Sequence, residues 1–280
     1  MDVQTRRKEI LMKTFFTNRT VLTVILLIIA GTIAFINRPN PPRVAILIYH
    51  HVLPDAQNQY FRDNPFVISL ENFTEQMQYL YDNDFHTLTL AELEAFLFEG
   101  AEIPPRSVMI QFDDGYYSNI VYAYPVLQQF GFTAQLFFET RFIEELGDYQ
   151  PPMDHGCITW TAAKSILGIE DVFETASHSH DMHRMFGDSD RTVLYESTFD
   201  EIIDDTLRSF DFVNHHNAYA YPHGQYNARV IAALEAVSIT MAFTVNEGYV
   251  TPRSHPMRLE RFTIFHDTEM PRFRRIVDGV

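Results

Sequence analysis

Apolar positions along this chain alternate between short continuous runs and stretches with helical spacing. Val44–Tyr49, Ser107–Phe112, Thr133–Phe138 and Met241–Val245 are apolar runs of strand length, rich in β-branched or aromatic residues. Two more strand-like runs end in polar clusters, Val172–His183 and Ala218–Gly224. Between them lie helical stripes. Ser69 caps a segment with Phe73, Met77, Leu80 and Tyr81 on one face. Thr89 and Glu92 form a capping box ahead of Leu93, Phe96 and Leu97, and Gly100 stands where that helix should stop. Tyr116–Phe130 reads as a helix despite Pro125, Thr159 as a cap for Trp160–Leu167, and Phe199, Ile202, Ile203, Thr206, Leu207 and Phe210 as another helical stripe. A further helix covers Ala228–Ala236. Strands alternating with helices predict an α/β fold, a parallel sheet with helices outside, in one domain over residues 44–280.

Four of the apolar runs end in groups that carry chemistry. Ser107–Gly115 ends in Asp113, Asp114 and Gly115; Val44–His51 ends in His50 and His51. The run from Val172 carries His178, His180 and His183, and the run from Ala218 ends in Tyr221-Pro222-His223-Gly224. Carboxylates rarely end a buried strand unless they are paired or hold a metal. In a (β/α) barrel the C-terminal strand ends converge on one face, so four such clusters predict one site. Asp114 with two histidines is a catalytic-metal donor set. His178 with His180 requires a continuing strand, and His178 with His183 requires a turn, which Asp181 favours.

The N-terminus predicts an address. A basic tail over residues 1–20, with Arg6, Arg7, Lys8, Lys13 and Arg19, precedes an uncharged apolar run over 21–36. The positive-inside rule keeps the tail in the cytoplasm and exports the rest. The run reads as a transmembrane signal anchor, ahead of cleavage after Thr32-Ile33-Ala34. Residues 37–43, with Pro39, Pro41 and Pro42, read as a stiff spacer. The whole chain has net charge −16, and without the tail 16 basic residues face 35 acidic ones. That balance argues against nucleic acid as a partner. Cys157 is the sole cysteine, so no intramolecular disulfide forms.

Taken together, these residues resemble the polysaccharide deacetylases with a NodB-homology domain, carbohydrate esterase family 4. Gln111-Phe112-Asp113-Asp114-Gly115 matches the first family motif, and His178-Ser179 with His183 the second. The histidine spacing of five, Tyr49-His50 at the start of the domain and Tyr221-Pro222-His223-Gly224 resemble the branch that de-N-acetylates poly-N-acetylglucosamine. The resemblance implies a distorted (β/α) barrel. Asp114, His178 and His183 would hold a divalent metal, zinc first, with cobalt, nickel or manganese as substitutes, and His180 is the alternative ligand. Asp113 would be the base and His50 the acid, with His266 as the alternative acid. Tyr221, Pro222 and His223 would border the oxyanion. The chain departs from the family at Gln111, where threonine is usual, at His223, and in lacking the arginine motif that orients the base; Arg261 is the candidate substitute.

The activity implied is removal of N-acetyl groups from an N-acetylglucosamine-containing polysaccharide at the cell surface. The alternatives are a xylan-type O-acetyl esterase and an inactive, membrane-tethered glycan-binding protein.

Overall fold

Six of the eleven strands among the described residues follow the predicted apolar runs. In chain order the eleven are β1 (Val44–Tyr49), β2 (His51–Leu53), β3 (Val67–Ser69), β4 (His86–Thr87), β5 (Ser107–Phe112), β6 (Ala134–Phe138), β7 (Phe173–Ser177), β8 (His215–Ala220), β9 (Met241–Phe243), β10 (Tyr249–Val250) and β11 (Phe262–Thr263). The short strands β2, β3, β4, β10 and β11 are not among the predicted runs. The helices are α1 (Leu70–Asp82), α2 (Leu90–Phe98), α3 (Tyr124–Phe130), α4 (Thr140–Leu146), α5 (Val193–Glu196), α6 (Phe199–Ser209), α7 (Ala228–Ala236) and α8 (Met270–Asp278). This computed structural model describes residues 42–58, 61–149, 161 and 168–279, with isolated positions 4, 7, 23 and 27. Apart from those positions, the basic tail, the apolar run over 21–36 and the spacer up to residue 41 lie outside the described residues, as do Cys157 and the expected helix cap Thr159 with Trp160. Among the described residues no helix is long and apolar enough to cross a membrane.

The main sheet runs in the order β10-β1-β5-β6-β7-β8-β9, with β4 added to β5 and β11 to β1. Every pairing is parallel except β10 on β1. The sheet curls, and residues 259–263 stitch its two ends together. Leu259 exchanges main-chain bonds with β9, through Leu259 N–H to Ala242 and Thr244 N–H to Leu259, while Phe262 and Thr263 pair with β1. Arg261 therefore lies on the seam.

Alternation along each strand divides the core. Ile46, Met109, Phe137, Ala176, Ala218 and Phe243 meet inside the curl, and Leu90, Leu93 and Phe96 of α2 plug that inner core. Leu47, Ile110, Phe112 and Leu136 face outward onto Phe73, Met77 and Leu80 of α1, Leu127 of α3 and Phe273 of α8. Tyr219 and Ala242 face Ile202 of α6 and Val230 and Leu234 of α7. The predicted capping boxes are present: Thr89 with Glu92 starts α2, and Thr198 with Glu201 starts α6.

The segment read as one helix from Tyr116 to Phe130 differs. Pro125 has no N–H to return to the preceding turn, and its ring would crowd the carbonyl four residues back. The chain widens into a π-helical turn, Asn119–Ala123, closed by Tyr124 N–H to Asn119, before α3 begins with Pro125 in its first turn.

Candidate metal centre and active site

β5 delivers both carboxylates. Met109, Gln111 and Asp113 alternate on the inner side of the strand. Extended geometry would turn Asp114 away, but Asp114 has φ 70° and Gly115 φ 79°, so the chain folds back and both carboxylates reach the same mouth. Gly115 is required twice over, because its positive φ suits glycine and a side-chain carbon there would strike the Phe138 ring.

β7 ends at Ser177, and the chain turns at once: Ser179 has φ 77°. Asp205 on α6 holds this turn by accepting the N–H groups of His180 and Asp181, each at 2.8 Å. The turn places His178 and His183 together. Asp114 Oδ1 lies 3.4 Å from His178 Nε2 and 3.2 Å from His183 Nε2. Two ligands on one tetrahedral zinc, each bonded at about 2.0–2.1 Å, stand roughly 3.3 Å apart. His178 Nδ1–H donates to the Ala220 carbonyl at 2.7 Å, so in the neutral imidazole the lone pair is on Nε2, directed at Asp114. The donor set thus fits a divalent metal, and these three are the only such cluster among the described residues. His180 does not join it. Its Nδ1 lies 3.0 Å from Thr140 Oγ1 and its Nε2 3.2 Å from Glu144, because the turn at Ser179 sends it to the other side.

Asp113 is clamped by Arg261. Nη1 donates to Oδ1 and Nη2 to Oδ2, both at 2.8 Å, and both side chains are buried. The guanidinium also donates from Nε to the Thr244 carbonyl at 2.7 Å and from Nη1 to Gln111 Oε1 at 3.1 Å. It sits between the Phe137 and Phe243 rings, 5.9 and 5.8 Å from their centroids. Gln111 and Arg261 are therefore partners in one arrangement. Burial pushes the Asp113 carboxyl up, but Arg261, His178 and His50 together outweigh it and hold the group below the ordinary aspartate range.

His50 follows β1 and lines the cavity of about 470 Å³ that contains Asp113, Asp114, His178 and His183. Its ring packs on Phe66 with centroids 4.6 Å apart. Burial lowers its pKa, against the upward pull of Asp114 and Asp113. His266 is not at this cavity. Phe265 faces it instead, while His266, whose N–H is tied to the Pro65 carbonyl, is exposed.

The Tyr221 segment also departs from expectation. The Tyr221 N–H is used by the sheet, donating to Phe243, and its hydroxyl donates to the Met257 carbonyl at 3.0 Å, so neither serves an oxyanion. Pro222 is buried and has no N–H. His223 alone of the three lines the cavity, in a left-handed conformation (φ 52°), with its ring 4.5 Å from that of His183.

Three further residues border the donor set, and of these Glu139 was not singled out by the sequence. Glu139, at the end of β6, is buried, pushed up to about 7 by burial, and has Oε2 3.8 Å from His183 Nδ1. It follows the same pattern as the other clusters, an apolar run ending in a carboxylate. Tyr116 bonds to Asp114, and His51 stacks on Tyr116 with centroids 3.5 Å apart. The arrangement combines a metal-type donor set, a clamped carboxylate and an imidazole around one cavity, the equipment of a hydrolytic centre.

Residues 100–242, about half of the chain, match the family model for polysaccharide deacetylase. The matched segment contains Asp113, Asp114, His178 and His183, and lies between His50 and Arg261. The chain is 27% identical over 207 residues to the poly-beta-1,6-N-acetyl-D-glucosamine N-deacetylase of Staphylococcus epidermidis, covering 70% of this chain and 68% of that protein. Its fold resembles Streptococcus pyogenes deacetylase PplD in complex with acetate, with TM-score 0.71, 19% identity and coverage of 85% of this chain and 99% of that one. It also resembles a de-N-acetylase from Aggregatibacter actinomycetemcomitans, with TM-score 0.69, 18% identity and coverage of 84% and 100%.

Proposed function

The chain belongs to the polysaccharide deacetylase family, and from that premise we propose that it removes N-acetyl groups from a polymer of N-acetylglucosamine in a metal-dependent hydrolysis. The observation that carries the reading is the juxtaposition of the Asp114–His178–His183 donor set with an Arg261-clamped Asp113 and with His50 in one cavity.

Asp114 Oδ1, His178 Nε2 and His183 Nε2 would hold the ion. A divalent metal bound there supplies Lewis acidity toward the acetamide carbonyl and acidifies water. Asp113 accepts the proton of the attacking water on a carboxylate lone pair that Arg261 leaves open, since each oxygen has two. The clamp keeps Asp113 ionised and fixed in direction, at some cost in basicity. Covered Nδ1 leaves Nε2 as the His50 atom available to the cavity, and from there it gives a proton to the departing amine. An amine is a poor leaving group, so this proton transfer matters more for an amide than for an activated ester.

The acetylated-glycan substrate accords with the deacetylase names of the relatives. The basic flank and apolar run over residues 21–36 support a single-pass anchor with the catalytic domain outside the cell. The test is acetate release by the zinc-loaded chain from poly-N-acetylglucosamine, peptidoglycan, chitin oligomers and acetylated xylan. Release from the N-acetylglucosamine polymers, abolished by a chelator and restored by zinc, is the expected result. Release confined to xylan would replace the amidase reading with an esterase one.

A further inference from the structure

His50 is held in an unusual way for a proton-transfer residue. A catalytic imidazole is ordinarily oriented by a hydrogen bond from its second nitrogen to a carboxylate or carbonyl. His50 Nδ1 is buried and has no hydrogen-bond partner among the described residues. What touches the ring instead is Phe66, at 4.6 Å between centroids.

Phe66 is itself fixed from several sides. Its N–H donates to Asn64 Oδ1 at 3.0 Å and its carbonyl accepts from His51 N–H at 3.1 Å. The preceding carbonyl, Pro65, accepts from His266 N–H at 2.9 Å, and the next residue, Val67, opens β3 in register with His51. Its ring also leans on Phe265, 5.6 Å away. Yet the side chain is 40% exposed and lines the same cavity as Asp113 and Asp114. Leaving a large aromatic open to solvent forgoes burial, while its backbone is fixed by two hydrogen bonds of its own and a third on the adjacent Pro65. A rigid aromatic face at the wall of a polar cavity is the ordinary way to receive the apolar face of a sugar ring.

We infer that Phe66 is the positioning residue for His50, orienting the imidazole by packing where a hydrogen bond would ordinarily do so, and that its open face seats the N-acetylglucosamine ring whose acetamide is cleaved. The inference rests on the assignment of His50 as the acid and of an N-acetylglucosamine polymer as substrate. It adds a residue from β2–β3 to a centre otherwise built from strand ends, and it couples ring binding to acid placement. A sugar seated on Phe66 restrains the ring that aims the proton.

The test uses the full chain, loaded with zinc, with an N-acetylglucosamine oligomer as amide substrate and nitrophenyl acetate as activated ester. Misplacing a catalytic group typically costs up to about 100-fold. Phe66→Ala should therefore lower kcat on the amide about 10- to 100-fold while slowing the ester far less. In a His50→Ala background, Phe66→Ala should add no further loss in amide kcat, because the residue it positions is gone. Phe66→Leu, which still packs on the imidazole but offers no aromatic face, should recover most of kcat and leave KM raised. Calorimetry on metal-free protein should show weaker oligomer binding for both Phe66 variants.

An equal Phe66→Ala loss with and without His50 would overturn the positioning role, as would Phe66→Leu as slow as Phe66→Ala. Unchanged oligomer affinity in both variants would overturn the sugar platform. If His50→Ala alone left amide turnover intact, the acid assignment would fail first and take the inference with it, a result separable from the others because it needs no change at Phe66.

Discussion

Replacing Arg261 by methionine should destabilise the domain strongly, and neutralising Asp113 in the same molecule should reverse much of the damage. Arg261 is 0% exposed and Asp113 3%, so neither charge has water to fall back on. Methionine keeps much of the side-chain length and apolar stem but removes four donated hydrogen bonds, two to Asp113 and one each to Gln111 and Thr244. Breaking a buried ion pair by deleting one partner typically costs about 3–5 kcal/mol, because the remaining charge stays buried and uncompensated. For a chain of this size, where each kcal/mol moves Tm by about 2–4 °C, that corresponds to a Tm lower by roughly 6–20 °C. Asp113→Asn added to Arg261→Met removes the stranded charge and should recover about 2 kcal/mol or more. The pH dependence gives a second check. In the wild type the Asp113 carboxyl is depressed, so its contribution is present above the ordinary aspartate pKa and is lost as pH falls through the folded value. Without Arg261 burial is less opposed and that pKa rises relative to the wild type. The variant should then lose less stability on acidification than the wild type. Urea titrations of the four combinations at neutral and acid pH measure all of this. A variant within about 1 kcal/mol of wild type, or a double variant no more stable than Arg261→Met, would refute the argument, since the exposed-pair range reaches only about 1 kcal/mol.

Asp113→Asn alone should reduce amide turnover by about 10²–10⁴ while zinc binding, measured by chelator competition, stays close to wild type. Asp205→Ala frees the His180 and Asp181 amides that fix the histidine turn, and should weaken zinc affinity by about 10- to 100-fold in the same competition. Gly115→Ala should lower thermal stability by about 1–3 kcal/mol and impair turnover, because a side chain there meets Phe138 at a positive φ. His266→Ala should leave amide kcat within about threefold of wild type, since an exposed side chain away from the cavity transfers no proton to the substrate.

The sequence by itself determined six of the strands and the polar groups that stand at their ends. Apolar runs such as Val44–Tyr49 and Ser107–Phe112 must be buried, and the stripes between them must bury one face as helices, so Asp113, His50 and His178, each following a parallel strand, were expected at one face. Local capping chemistry was equally legible, as at Thr89 with Glu92, because those bonds join residues three apart. What only the tertiary structure decided involves backbone reversal or contact across the fold. Extended geometry sends Asp114 away from Asp113, and the positive φ values at Asp114 and Gly115 bring it back. The choice of His183 over His180 follows from the turn at Ser179, which Asp205 holds from α6. Arg261 lies 148 residues from Asp113, and its role required the seam that closes the curled sheet. Whether every member of a motif faces the cavity was also left to the fold: the sheet uses the Tyr221 N–H, and the chain beyond β11 turns Phe265 inward and the alternative acid His266 out. Short-range patterns record which atoms must leave water, but the direction in which a polar side chain points at a strand end is set by one or two torsions and by partners far along the chain, so it emerges only when the fold is complete.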